Sequence, residues 1–105
     1  VLADIEKHQV TIVDGVPAMY MFMLNSPALS NVDLSSLKRC YVGGQTMPVA
    51  TMEAVETAFK VPLIELWGMT EIAGLGSTHP LYGPNKHGSV GCALPYVPLF
   101  WLGRC

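Results

Sequence analysis

Charge is scarce in this sequence. Only 13% of its residues are Asp, Glu, Lys or Arg, and the six basic ones are scattered rather than clustered. With a net charge of −2, the chain offers no footprint for nucleic acid and no polybasic patch for an anionic membrane. Cysteine is sparse too: Cys40, Cys92 and Cys105 form no C-x-x-C pair and, with His8, His79 and His87, no zinc pattern. An odd, unpaired set points to reduced thiols and a cytoplasmic location. Long hydrophobic runs are missing. Val16–Leu24 is apolar but well short of the ~20 residues a membrane-spanning helix needs, so it reads as a buried helix. Asp4 and Glu6 stand where the apolar stretch of a secretory signal would lie. Neither G-x-x-x-x-G-K-[ST] nor G-x-G-x-x-G occurs, which removes the two commonest phosphate loops.

What is present is apolar material. Half of the 105 residues are hydrophobic, too many for disorder and many for one small domain, whose surface-to-volume ratio leaves much of the chain exposed. The excess suggests that part of a larger core lies outside this chain.

Periodicity predicts a helix over Val1–Gln9 and a strand over Val10–Val13, closed by a turn at Asp14-Gly15. Pro17 suits the first position of a second helix. Ala18–Asn25 carries Met and aromatic residues all round, which predicts packing on several sides. Asn25-Ser26-Pro27 stops that helix, and Asp33 can cap a turn at Leu34–Leu37. A strand is expected over Lys38–Val42, then a break at Gly43-Gly44. Pro48 opens a helix with Val49, Met52, Val55 and Phe59 near one face. Val61–Trp67 is the next strand, ended by Gly68. From Gly74 on, Gly and Pro become frequent, and Gly88-Ser89-Val90-Gly91 reads as one short strand in a loop-rich region. Alternating helices and strands imply an α/β fold: a partial parallel sheet with crossover helices, residues 1–73 forming the α/β portion and 74–105 the loop-rich one. Leu99–Cys105 ends on an apolar run and Val1 begins abruptly; truncation at both ends is expected, with a frameshifted tail as the other option.

Two segments could carry chemistry. In Gly43-Gly44-Gln45-Thr46, paired glycines let backbone approach a flat ligand at the carboxyl end of a strand, where α/β sheets bind ligands. The same residues also fit an ordinary tight turn. In Trp67-Gly68-Met69-Thr70-Glu71, the indole can stack on a purine, Thr70 can offer a hydroxyl to phosphate, and Glu71 can hold magnesium, which takes one or two carboxylates and keeps several waters. Equally, Trp67 could be core and Glu71 a solvated first-turn charge. His79 and His87 have no Ser or Cys elbow near them and suggest no triad. Cys40 reads as a buried small hydrophobe, His8 as a helix-end residue, and Met19, Met21 and Met23 as core packing.

Taken in order, these segments resemble the adenylate-forming superfamily: acyl-CoA synthetases, luciferases and peptide-synthetase adenylation domains. Trp67-Gly68-Met69-Thr70-Glu71 is similar to its aromatic-Gly-x-Thr-Glu motif, Gly43-Gly44 to its Gly-Gly loop, and Gly88-Ser89-Val90-Gly91 with Pro95 to its Gly-Ser-x-Gly segment. Val10-Thr11 and Gly15-Val16-Pro17 resemble the entry to a helix beside the acyl pocket. The likeness spans residue 1 to about 98. It implies part of the N-terminal subdomain of an AMP-binding enzyme, using ATP, Mg2+, coenzyme A and a carboxylic acid, fatty or aryl by the apolar character of Met19–Leu24.

By resemblance, Gly43, Gly44, Gln45 and Thr46 border adenine, Trp67, Gly68 and Met69 contact the nucleotide, and Thr70 and Glu71 act at the phosphates, Glu71 through magnesium. Tyr20, Gly68 and Gly91 face the acyl pocket. Val42, Gln45 and Thr46 depart from the usual Ser-Gly-Gly-Ala-Pro, and Trp67 replaces the usual tyrosine. The family's Lys-Gly phosphate loop, its ribose-gripping Thr-Gly-Asp and its lysine-bearing lid have no counterpart in the 105 residues. The expectation is a fragment inactive alone that acts with the remainder of a parent enzyme. The alternative is a non-catalytic α/β remnant that binds nucleotide weakly or packs against a partner.

Overall fold

The computed structural model describes residues 1–98 of the 105; the expectations about Leu99–Cys105 lie outside them. Helix α1 (Leu2–His8) buries Leu2 and Ile5 and ends at Gln9, whose left-handed backbone (φ 51°) turns the chain into β1 (Ile12–Gly15). Strand β1 includes the Asp14-Gly15 pair that the sequence suggested as a turn. Helix α2 (Pro17–Leu24) starts on Pro17, as expected of a residue with fixed φ and no N–H to satisfy. A 3-10 turn (Pro27–Asn31) leads to β2 (Arg39–Val42). Helix α3 (Val49–Phe59) buries Met52, Val55 and Phe59 and stops at left-handed Lys60. Strand β3 spans Leu63–Met69, followed by a 3-10 turn at Thr70–Ile72, β4 (Gly74–Thr78) and β5 (Cys92–Ala93).

The sheet runs β1-β2-β3-β4-β5. The first three strands are parallel, as the alternation predicts, with α2 and α3 in the crossovers. β4 and β5 are antiparallel additions. Two expectations are corrected here. Gly68 does not end the third strand, and Gly88–Gly91 is not a strand; the strands of the loop-rich region are β4 and β5. The physical reason is close approach. A Cβ on Gly68 would run into the Gly74 carbonyl oxygen and lie 2.9 Å from Leu75 Cα, while one on Gly76 would lie 2.9 Å from the Trp67 ring. These glycines therefore permit strand pairing where their propensity opposes it.

The core lies between the parallel strands and the helices. Cys40, Val42 and Leu63 meet Met52, Val55 and Phe59, and Tyr20 at its centre is fully buried. Tyr20 tilts its ring against Phe59 at 6.2 Å and donates its hydroxyl to the carbonyls of Tyr41 (2.6 Å) and Val13 (3.1 Å). Burial pushes its phenol far above the ordinary range. Burial also raises the Cys40 thiol to about 11, as expected of a small hydrophobe rather than a nucleophile.

Packing of α2 on several sides is not observed. Pro17, Tyr20 and Met23 are buried, but Phe22 is 79% and Met21 48% exposed, and Met19 is exposed as well. Of the three methionines, only Met23 serves the core. A uniformly apolar helix cannot announce which stripe faces the sheet. None of the described helices is long and apolar enough to cross a membrane.

Candidate functional site

Two hollows open at the carboxyl ends of the parallel strands, and the register explains them. β2 makes its last pair at Val42↔Glu65, but β3 continues through Leu66–Met69. The chain after β2 instead swings away through Gly43 and Gly44, the latter at φ +85°. The gap between the diverging loop and the continuing strand is the first hollow, of about 220 Å³. Gly44, Gln45 and Thr46 form one wall and Glu65, Leu66, Trp67 and Gly68 the other, with Val90 closing it. The Gly-Gly loop and Trp67, 23 residues or so apart in sequence, thus share one slot.

Trp67 is half-buried, its ring seated on the backbone of Gly76, where no side chain intervenes. Val90 is held in place by the Ser77 hydroxyl, which donates to its carbonyl at 2.8 Å. Glu65 was not singled out by the sequence. One of its carboxylate oxygens is buried without a partner, and burial holds its carboxyl above the usual range, with His79 and His87 pulling it part of the way back. A charge interrupting the apolar run Leu63-Ile64 was the signal that could have found it; Val90 had none, since its place depends on pairing distant in sequence.

The second hollow, of about 500 Å³, adjoins the first and shares Gly44, Leu66 and Gly68 with it. Its walls are glycine backbone (Gly15, Gly43, Gly74) and the side chains of Asp14, Val16, Met69 and Leu75. Met19 packs against Gly15 from outside this lining: a Cβ on Gly15 would lie 3.1 Å from the Met19 sulfur.

Of the sequence candidates, Gly43, Gly44, Gln45, Thr46, Trp67, Gly68 and Met69 are therefore brought together around two joined hollows. Thr70 and Glu71 sit on the exposed 3-10 turn between Met69 and Gly74, which both line the larger hollow, but neither forms part of a wall. Tyr20 is corrected: 0% exposed and bonded to two strand carbonyls, it faces no pocket. Gly91 is not brought to the hollows. It lines neither hollow, and its Cβ would strike the Thr78 carbonyl with His79 N at 2.8 Å, so close backbone approach at φ +82° accounts for the glycine. Among the described residues no three His, Cys, Asp or Glu side chains group closely enough to hold a metal unaided.

Comparison with known proteins agrees with this fold. A family model described as AMP-binding enzyme matches residues 1–100. The long-chain-fatty-acid–CoA ligase of Bacillus subtilis (strain 168) is 35% identical over 94 residues, which is 90% of this chain and 17% of that protein. The structure of the anthranilate CoA ligase AuaEII in complex with anthranoyl-AMP is similar at a TM-score of 0.80 and 29% identity, over 88% of this chain and 18% of that one. The luciferase-like enzyme of the mealworm Zophobas morio gives a TM-score of 0.79 at 28% identity, over 88% and 23%. The chain spans less than a fifth of that ligase and contributes an α/β core with a slot at its strand ends, and it belongs to the AMP-binding enzyme family, within the adenylate-forming superfamily that its motifs resemble.

Proposed function

We propose that this chain is the base-binding part of an ATP-dependent, AMP-forming acyl-CoA synthetase, an acid–thiol ligase. In that reaction a carboxylate attacks the α-phosphate of ATP to give an acyl-adenylate and pyrophosphate, and coenzyme A then displaces AMP. One observation carries the reading: Gly44–Thr46 and Trp67 form opposite walls of a single slot of a size for a flat base rather than a whole nucleotide. Trp67 supplies a stacking face.

The larger hollow suits an apolar acid, since Val16, Leu66, Met69 and Leu75 line it among glycines; a fatty or aryl acid meets that description. Gly68 lines both hollows with bare backbone. Thr70 and Glu71 are assigned to the phosphates. The lone, exposed Glu71 carboxylate fits a magnesium ion whose other ligands are phosphate oxygens and water. That ion would neutralise charge developing during transfer. Positioning is the main contribution of these residues, and without a phosphate loop or lid lysine the 105 residues do not turn over alone. Residues 1–73 form the α/β portion and 74–105 the loop-rich portion of one partial AMP-binding domain, in a cytoplasmic enzyme completed by the remainder of its parent.

The test is an AMP titration of the purified chain followed by NMR. Saturable shifts at Gly44, Thr46 and the Trp67 indole are expected, and Trp67→Ala should weaken binding by roughly 10- to 100-fold, as loss of a base–aromatic stack does. Shifts confined to other surfaces would remove the slot from consideration. Pyrophosphate release by the purified chain would overturn the claim of incompleteness.

A further inference from the structure

The first half of β3 lacks a strand neighbour on one side. Leu63–Glu65 pair with β2, but β4 begins to pair only at Leu66. Three side chains stand in for the missing strand. Glu56 of α3 accepts from Leu63 N at 2.8 Å, Asn85 donates to Leu63 O at 2.8 Å, and Thr78 donates to Glu65 O at 3.1 Å. The second carboxylate oxygen of Glu56 takes His87 Nε2 at 2.8 Å. This contact is sheltered, the His87 side chain being 16% and the Glu56 side chain 30% exposed. A single carboxylate thus ties α3, the start of β3 and the 85–90 loop together.

That loop ends at the slot. His79 Nε2 bonds to Ser89 O at 2.8 Å, Ser77 bonds to Val90 O, and Val90 closes the proposed base slot. We propose that Glu56 and His87 are a positioning pair for nucleotide binding. By clamping the 85–90 loop to α3 and β3 they act with the Ser77 and His79 bonds to fix where Val90 stands, and so set the width of the slot. The inference rests on the base-binding reading above, although neither residue touches the slot itself. Nothing in the motifs marks the pair. Sheltered, charge-capable hydrogen bonds of this kind hold geometry better than exposed ones.

The experiment compares the full chain with His87→Ala, His87→Gln and Glu56→Gln, using the Val90 methyl resonances and AMP affinity as separate readouts. His87→Ala breaks the clamp but leaves the Glu56–Leu63 bond. Val90 methyl shifts should move, and the dissociation constant for AMP should rise by about three- to tenfold, the scale of one lost hydrogen bond. His87→Gln can donate to the same carboxylate oxygen and should restore both. Glu56→Gln keeps an acceptor for Leu63 N and can still meet His87, so its effect should be smaller than that of His87→Ala. Unmoved Val90 methyls in His87→Ala would overturn the proposal, as would a failure of His87→Gln to recover what His87→Ala loses. If the wild-type chain binds no AMP, the base-binding reading fails, and the Val90 shifts still decide whether the clamp exists.

Discussion

Replacing Gly68 by alanine puts one methyl group where β3 and β4 cross most closely. Its Cβ would collide with the Gly74 carbonyl oxygen and sit 2.9 Å from both Gly74 C and Leu75 Cα. All three atoms are backbone, so no flexible side chain can swing aside, and the two strands must part. Forcing one such group into a packed site costs about 1–3 kcal/mol, and at about 4–8 °C per kcal/mol for a domain near this size the melting temperature should fall by roughly 4–24 °C. Gly44→Ala is the control. Its Cβ has only Val16 Cγ1 at 3.4 Å, an ordinary contact, but its φ of +85° must be held by an L-residue at about 1–2 kcal/mol. Thermal unfolding by circular dichroism gives the stability. HSQC spectra give the location: Gly68→Ala should disturb amides on both β3 and β4, Gly44→Ala only its own loop. A Gly68→Ala protein that melts with the wild type and leaves β4 amides in place would refute the close-approach argument and the explanation of β4 built on it.

Tyr20→Phe keeps the ring on Phe59 but removes the one O–H shared between the Tyr41 and Val13 carbonyls; urea denaturation should show a loss of about 1–2 kcal/mol, and wild-type stability would contradict the assigned bonds. The Cys40 thiol ionises at about 11 when folded against an ordinary 9.0. Its protonated form is the one folding favours, so stability is fully present below pH 9 and lost as pH rises from 9 through 11. Cys40→Ala should flatten that decline relative to wild type in melts across this window, and parallel curves would count against it. The Glu65 carboxyl is raised above its ordinary 4.5 by burial, so its contribution is present in acid and lost as pH rises through the folded value. Glu65→Gln should therefore raise the melting temperature at pH 7 and change it little at pH 4; equal changes at both would refute the burial argument.

Local pattern carried much of the fold. Met52, Val55 and Phe59 share the buried face that their spacing indicates, and the stops at Gln9 and Lys60 are local backbone events. Parallel order followed from alternation, and with it the meeting of Gly44–Thr46 and Trp67, because adjacent parallel strands end side by side. What escaped is non-local. Gly74-Leu75-Gly76 has the propensity of a loop, and only the bare backbone of Gly68 opposite it makes it a strand. Helix α2 was legible as a helix but not as one-sided, since Met21 and Phe22 look as apolar as Tyr20 and Met23. The resemblance places Tyr20 in a pocket, whereas its hydroxyl faces two strand carbonyls. Glu56, Asn85 and Thr78 became visible only once β3 was seen to lack a neighbour beside Leu63.

Strand β3 changes partners midway, leaning on β2 up to Glu65 and on β4 from Leu66 onward. The chain consequently has a seam. Fraying of β4 and β5 would strip away the support beneath Trp67 while the helices stay packed on β1 and β2. A molecule that binds only the closed arrangement is thermodynamically linked to that fraying and must suppress it in proportion to its occupancy. Amide exchange along residues 74–78 then becomes a gauge of slot occupancy, readable even where the bound molecule itself is spectroscopically silent.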